Sequence, residues 1–438
     1  MAGEDEPLER VVAKDAGPNA SRMRISRRRL LTGAAVATGA AALGSLGGYE
    51  LALLGTADRA AGQTPAATGS TVAFDGAHQA GIVTPAQDRL TFAAFDLTTA
   101  SRADLAALLA TWTAAAGLMA AGLPVGDVGG DEAAPPVDTG EAYGLSPARL
   151  TVTIGFGPSI FDGRFGLSAR RPAALADLPA FPGDALDPAR SGGDLCIQAC
   201  SDDPQVAFHA VRNLARLGRG TAVVRWLQLG FGRTSSTSSQ QVTPRNLMGF
   251  KDGTNNIVAE DSSAVDDYVW VGGETDQPWM IGGSYLVARR IAMRIESWDR
   301  TSLGEQERVI GRHKASGAPL GGSAEHDTVD LAATAGGQPV VPTGAHIRVA
   351  APALNASQRI LRRGYSFTDG TDPVTGELDA GLFFICFQKD PRKGFSAIQT
   401  RLTQADALTE YIRHTGSAIF ACPPGTDSGE SWGTGLVT

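Results

Sequence analysis

Histidine and cysteine are both scarce in this chain. Its six histidines stand at positions 78, 209, 313, 326, 346 and 414 of 438 residues, too scattered to form an HxH or HExxH pair. That argues against a zinc or copper centre built from neighbouring histidines and leaves room only for a cofactor that needs a single imidazole. The four cysteines, Cys196, Cys200, Cys386 and Cys422, are too few for a disulfide scaffold in a chain of this length. Cys196 and Cys200 share one face of an alternating stretch. Residues four apart on a strand exceed the roughly 7 Å Cα separation of a disulfide, so packing as free thiols is expected. Basic residues are in deficit: 38 Lys and Arg against 46 Asp and Glu give a net charge of −8. A surface built to neutralise phosphates would show the opposite balance, so nucleic acid is excluded as a partner and a small molecule or protein is expected.

What is present reads as an ordinary globular protein, 43% hydrophobic and 19% charged, with length enough for two packed domains. The N-terminus departs from this. Arg27-Arg28-Arg29 immediately precede an apolar run from Leu30 to about Leu46, rich in Ala and Gly. This is the layout of a twin-arginine export signal. A membrane anchor over 30–54 is the competing reading, ranked second because Glu50 interrupts the stretch and Ala and Gly insert poorly. Residues 1–62 are assigned to the signal and its tether, which places the protein in the periplasm, outside the cell or at the envelope. Because this route carries folded proteins, a cofactor site is expected downstream.

Periodicity then predicts strand 89–97, helix 102–121, strands 149–155 and 195–201, helix 204–217 and strand 222–229, a βαββαβ ferredoxin-like order. A second set repeats the alternation: strand 284–297, helix 303–311, strand 346–350, strand 382–388, helix 395–414 and strand 417–421. The domains are accordingly placed at 63–285 and 286–438, with Gly/Pro-rich excursions at 122–140 and 321–344.

Three features carry chemistry. In Gly249-Phe250-Lys251-Asp252-Gly253-Thr254-Asn255-Asn256, two glycines bracket a carboxylate, as in a loop whose backbone approaches a ligand, although by itself the Asp-Gly pair reads first as a surface turn. His346, in Ala345-His346-Ile347-Arg348-Val349, falls in the predicted buried strand, where a lone histidine is usually a satisfied core residue. Arg362-Arg363 would ordinarily be a solvated pair, but the apolar context around Tyr365 and Phe367 favours a buried role for one of them.

These fragments occur in an order that resembles the dye-decolourising peroxidases, specifically the exported branch that includes peroxidases of ferrous-iron uptake systems. The likeness runs through 74–82, 192–196, 249–256, 310–320, the His346 segment, 361–365, 381–384 and 411–420. It implies an α+β fold of two ferredoxin-like domains, of the dimeric α+β barrel type, with haem b bound mainly by the second domain, one per chain. It implies Asp252 as the distal acid/base, Arg362 as the distal charge stabiliser beside the cofactor, and His346 as the iron ligand. Gly253, Thr254 and Asn255 would lie along the haem edge. Asp379 is the candidate partner for the second ring nitrogen of His346, and His313 reads equally as rim or surface. Hydrogen peroxide and small-molecule electron donors are the implied partners, with iron-uptake proteins and a homo-oligomer also open. An iron-uptake role that oxidises ferrous iron or extracts iron from haem, and a non-catalytic haem carrier, are the alternatives. One departure stands out: many relatives carry Asn-Pro-Arg after the His346 motif, where this chain has Ala351-Pro352-Ala353.

Overall fold

The computed structural model describes residues 70–437, so the stretch 1–62 that the sequence suggests is an export signal lies outside the described residues. The first half follows the predicted order: β1 (Arg89–Leu97), α1 (Arg102–Ala120), β2 (Thr151–Phe156), β3 (Leu195–Ser201), α2 (Pro204–Leu217) and β4 (Ala222–Arg233). Local chemistry sets these boundaries. Ser101 caps α1 by accepting the Asp104 N–H. Asp203 caps α2 by accepting the Gln205 N–H, Pro204 occupies the first turn, where its missing N–H is not needed, and Gly218 follows the last turn.

A short α3 (Ser262–Tyr268) leads to the second half: β5 (Ser284–Met293), α4 (Ile295–Arg300), α5 (Leu303–Ile310), α6 (His346–Val349), β6 (Leu361–Arg362), β7 (Tyr365–Thr371), β8 (Leu378–Gln388), α7 (Phe395–Ala405) and β9 (Ile412–Cys422). Here three sequence expectations fail. The strand expected over 284–297 stops at Met293, and the remainder turns into α4, which buries Trp298. The strand expected at 346–350 is the single helical turn α6. Its β-branched alternation is overridden by Pro342 and Gly344 before it and by Pro352 after it, which holds Ala351 extended. The helix expected over 395–414 ends at Ala405, and its last three residues belong to β9, paired with β5 from Ile412↔Met293 onward.

The strands run β5-β9-β2-β3-β1-β4-β7-β8, and β8 pairs back onto β5 to close the ring; β6 adds to β8. Each half has the same internal order, β4-β1-β3-β2 and β9-β5-β8-β7, the ferredoxin-like arrangement twice over. Two sparse seams join them: one Cα pair, Ala421↔Phe156, between β9 and β2, and two, Phe231↔Ser366 and Arg233↔Tyr365, between β4 and β7.

Alternation along the strands divides their side chains between two layers. The barrel interior is a core drawn from both halves, including Phe92, Trp226, Leu286, Tyr365, Phe383 and Phe420, and Cys196, Cys200 and Cys422 lie in it as free thiols. Outside the first half, α1 and α2 fill the other face with Leu105, Leu109, Trp112 and Leu214, and the Trp112 Nε1–H donates to the Leu214 carbonyl at 2.8 Å. Outside the second half the corresponding face is not filled. Arg289, Ile291 and Met293 of β5, Leu382 and Phe384 of β8, and Ile412 and His414 of β9 line a cavity instead.

Candidate active site

The cavity holds about 660 Å³, within the roughly 300–1,000 Å³ of typical cofactor and ligand sites. Asp252, His346 and Arg362 all line it, together with Gly253, Thr254 and Asn255. Three distant stretches of sequence thus converge on one space.

Asp252 leaves a tight hairpin in which the Asn246 N–H donates to the Phe250 carbonyl at 3.0 Å and the Asp252 N–H to the Pro244 carbonyl at 2.9 Å. Glycine is required at 253: φ is +94°, and a Cβ there would stand 2.8 Å from Ser235 Cα. The Asp252 carboxylate is held at both oxygens. Oδ1 accepts from Arg362 Nη1 at 2.8 Å, and Oδ2 accepts from Asn246 Nδ2 at 3.2 Å. Strand alternation separates the two arginines: Arg362 faces the cavity, whereas Arg363 is fully buried on the other side, donating to the Thr84 carbonyl and Gln87.

His346 presents its imidazole to the cavity from α6, and its Nδ1–H donates to Asp406 Oδ2 at 2.6 Å. Asp406 is itself fixed as the cap of a 3₁₀ turn, its Oδ1 accepting the Leu408 N–H at 2.9 Å. Burial alone would lower the His346 pKa. The Asp406 charge and hydrogen bond outweigh it, Asp252 adds to the attraction, and the net shift is upward. With Nδ1–H committed to the carboxylate, the Nε2 lone pair of the neutral ring is the group left to ligate.

Asp379 is not the partner of His346. It pairs with Arg290 Nη2 at 2.7 Å, next to Asp369, on the face of β5 opposite the cavity. His313 is half-exposed, bonded to Glu307 at 2.9 Å, and does not line the cavity. The sequence reading missed Asp406, Asn246 and Asn256 among the supporting residues. It also missed a polar patch on the cavity floor. There Arg289 is ion-paired with Asp184, and beside it burial and the Arg289 charge push His414 down to about 3.

The donor set suits a flat, largely apolar cofactor anchored by one nitrogen ligand. Of His326, His346 and His414, which line the cavity, His346 is the one hydrogen-bonded to a buried carboxylate; Ile291, Leu382, Phe384, Ile398 and Leu402 supply apolar wall, and a carboxylate with a guanidinium shares the space. Fold and site together define an α+β barrel oxidoreductase. The comparisons make this specific. A Dyp-type peroxidase N-terminal family model matches residues 79–232 and the C-terminal model matches 243–427, and the chain belongs to this family of haem-binding peroxidases. It is 39% identical over 419 residues to the deferrochelatase of Shigella sonnei (strain Ss046), covering 94% of this chain and 97% of that protein. Against the deferrochelatase of Escherichia coli (strain K12) it is 39% identical over 370 residues, 83% of this chain and 86% of that one. Among solved structures, ferric DtpA from Streptomyces lividans superposes with a TM-score of 0.77 at 42% identity, covering 86% and 99% of the two chains. A DyP-type peroxidase from Streptomyces coelicolor gives 0.77 at 43%, covering 84% and 97%.

Proposed function

We propose that the protein is a haem b peroxidase that uses hydrogen peroxide to oxidise dyes, phenols or other bulky donors. The observation that carries this reading is the Asp252–Arg362 ion pair sharing one cavity with an Asp406-backed His346. His346 would hold the haem iron through Nε2, with Gly253, Thr254 and Asn255 along the haem edge. When bound, the haem supplies the iron at which peroxide is reduced by two electrons. Asp252 takes the proton from one peroxide oxygen and delivers it to the other, so that water can leave. Arg362 meets the negative charge that develops on the departing oxygen, from a position already fixed before reaction. Asp406 holds the imidazole in one tautomer and one orientation.

Asp252→Ala and Arg362→Ala are expected to keep the Soret band of the purified protein while peroxide turnover falls about 10²–10⁴-fold. His346→Ala is expected to lose the haem. Wild-type turnover in the Asp252 variant, or a purified protein that takes up no haem, would overturn the reading.

The likeness to proteins named deferrochelatase favours one alternative, extraction of iron from haem with the porphyrin left intact. Anaerobic incubation with haem and a reductant separates the two: release of fluorescent metal-free porphyrin supports extraction, and its absence alongside peroxide turnover supports the peroxidase. We propose a division between the halves at 285/286; the second ferredoxin-like strand order begins with β5 at Ser284, two residues before it. Export through residues 1–62 is supported by the arginine motif and the Ala/Gly-rich apolar run after it, and fractionation of cells expressing the full chain tests it.

A further inference from the structure

The two members of the distal ion pair stand on segments that share no strand ladder, and one side chain joins them. Asn256 lies four residues after Asp252 and is 8% exposed. Its Oδ1 accepts the Arg362 N–H at 2.8 Å, while its Nδ2 donates to the Arg362 carbonyl at 2.8 Å and to the Ser236 carbonyl at 2.9 Å. All three bonds engage backbone.

β6 needs such support. It is two residues long and meets β8 only at Cys386↔Arg362 and Phe387↔Leu361. The neighbouring Arg363 N–H reaches the Ile385 carbonyl at 2.8 Å, whereas both peptide groups of Arg362 turn away from β8, toward Asn256. One carboxamide therefore supplies, on the free side, the donor and acceptor that a further strand would supply. The segment after β4 completes the junction. The Thr234 N–H donates to the Gly364 carbonyl at 2.9 Å, and Ser235 packs on Gly253.

Resting on the peroxidase reading, we propose that Asn256 is the positioning residue of the distal pair: its carboxamide fixes the backbone of Arg362 so that Nη1 meets Asp252 Oδ1, and ties that placement to the loop that carries Asp252. The requirement is chemical. Aspartate has nearly the same shape and can still accept from the Arg362 N–H, but it cannot donate, so two carbonyl oxygens would face a carboxylate. Serine has a single oxygen too short to serve both peptide groups.

The test compares Asn256→Asp and Asn256→Ser, each alone and combined with Arg362→Ala, in the haem-loaded protein. With Arg362 present, either substitution is expected to slow the stopped-flow reaction with hydrogen peroxide by about ten-fold, and with Arg362 removed by less than about two-fold, because no guanidinium is left to place. Equal losses in both backgrounds, or no loss with Arg362 present, would show that Asn256 merely stabilises the loop and would overturn the proposal. A second measurement does not depend on haem. Crystal structures of the variants should show Arg362 Nη1 displaced beyond hydrogen-bond reach of Asp252, and its retention there counts against the assignment. If Asn256→Asp does not fold, Asn256→Ser carries both arms. Failure of the peroxidase reading itself is seen separately, as an unmutated protein with no Soret band or no reaction with peroxide.

Discussion

At the scale of single residues, the site divides into what chemistry marks in the sequence and what only folding brings near. Asp252, His346 and Arg362 were legible through the order in which their segments resemble the family, since each local context alone reads as a turn, a core histidine or a solvated pair. The partner of His346 was not legible. Asp406 lies 60 residues away, inside a stretch whose apolar spacing reads as uninterrupted helix, and its only local signal is the capping bond to Leu408. Asp379 drew attention by its place two residues before Gly381, but strand alternation commits it to Arg290. His414 offers a prediction of its own. Burial and the Arg289 charge hold it neutral in the folded protein down to about pH 3, whereas in the unfolded chain it takes up a proton below about 6.5. Its stabilising contribution is therefore complete above pH 6.5 and is lost progressively as pH falls toward 3. A His414→Leu variant is expected to have a flatter dependence of Tm on pH than the parent across that window. Parallel curves would show that the group does not carry this acid sensitivity.

At the scale of elements, the first half's strands and long helices could be read closely, since β1 and β3 are apolar runs of strand length and α1 and α2 are long and capped by their own sequence. Around the cavity the elements are short. α6 has four residues and β6 two, too few for any period to show, and their conformation is fixed by flanking prolines and by bonds to distant segments. The hairpin that carries Asp252 is the sharpest case, because Gly253 answers both to a left-handed backbone and to contact with Ser235. Gly253→Ala is expected to cost about 1–3 kcal/mol in chemical denaturation. Gly304→Ala, in the first turn of α5 with nothing within 4 Å of the added carbon, should be neutral or slightly stabilising by comparison. Equal stabilities for the two variants would remove the steric argument.

For the whole molecule, the closed ring makes the two halves depend on each other. Phe92 and Trp226 from the first half pack against Phe383 from the second, with ring centroids 5.3 and 6.1 Å away. Residues 70–283 expressed alone would expose that inner face, and the fragment is expected to bind a hydrophobic dye and lack a cooperative thermal transition. A soluble fragment with sharp melting would show that each half completes its own core. The same ring also bears on how the protein behaves when crowded with copies of itself. A growing fibril needs an unpaired strand edge as template, and the thin seams leave one: β4 meets β7 only at Phe231↔Ser366 and Arg233↔Tyr365, so residues 222–230 have no strand partner on that side. Templated growth would then begin at that seam, so how well the side chains of 222–230 shield the edge sets how readily one molecule can recruit another.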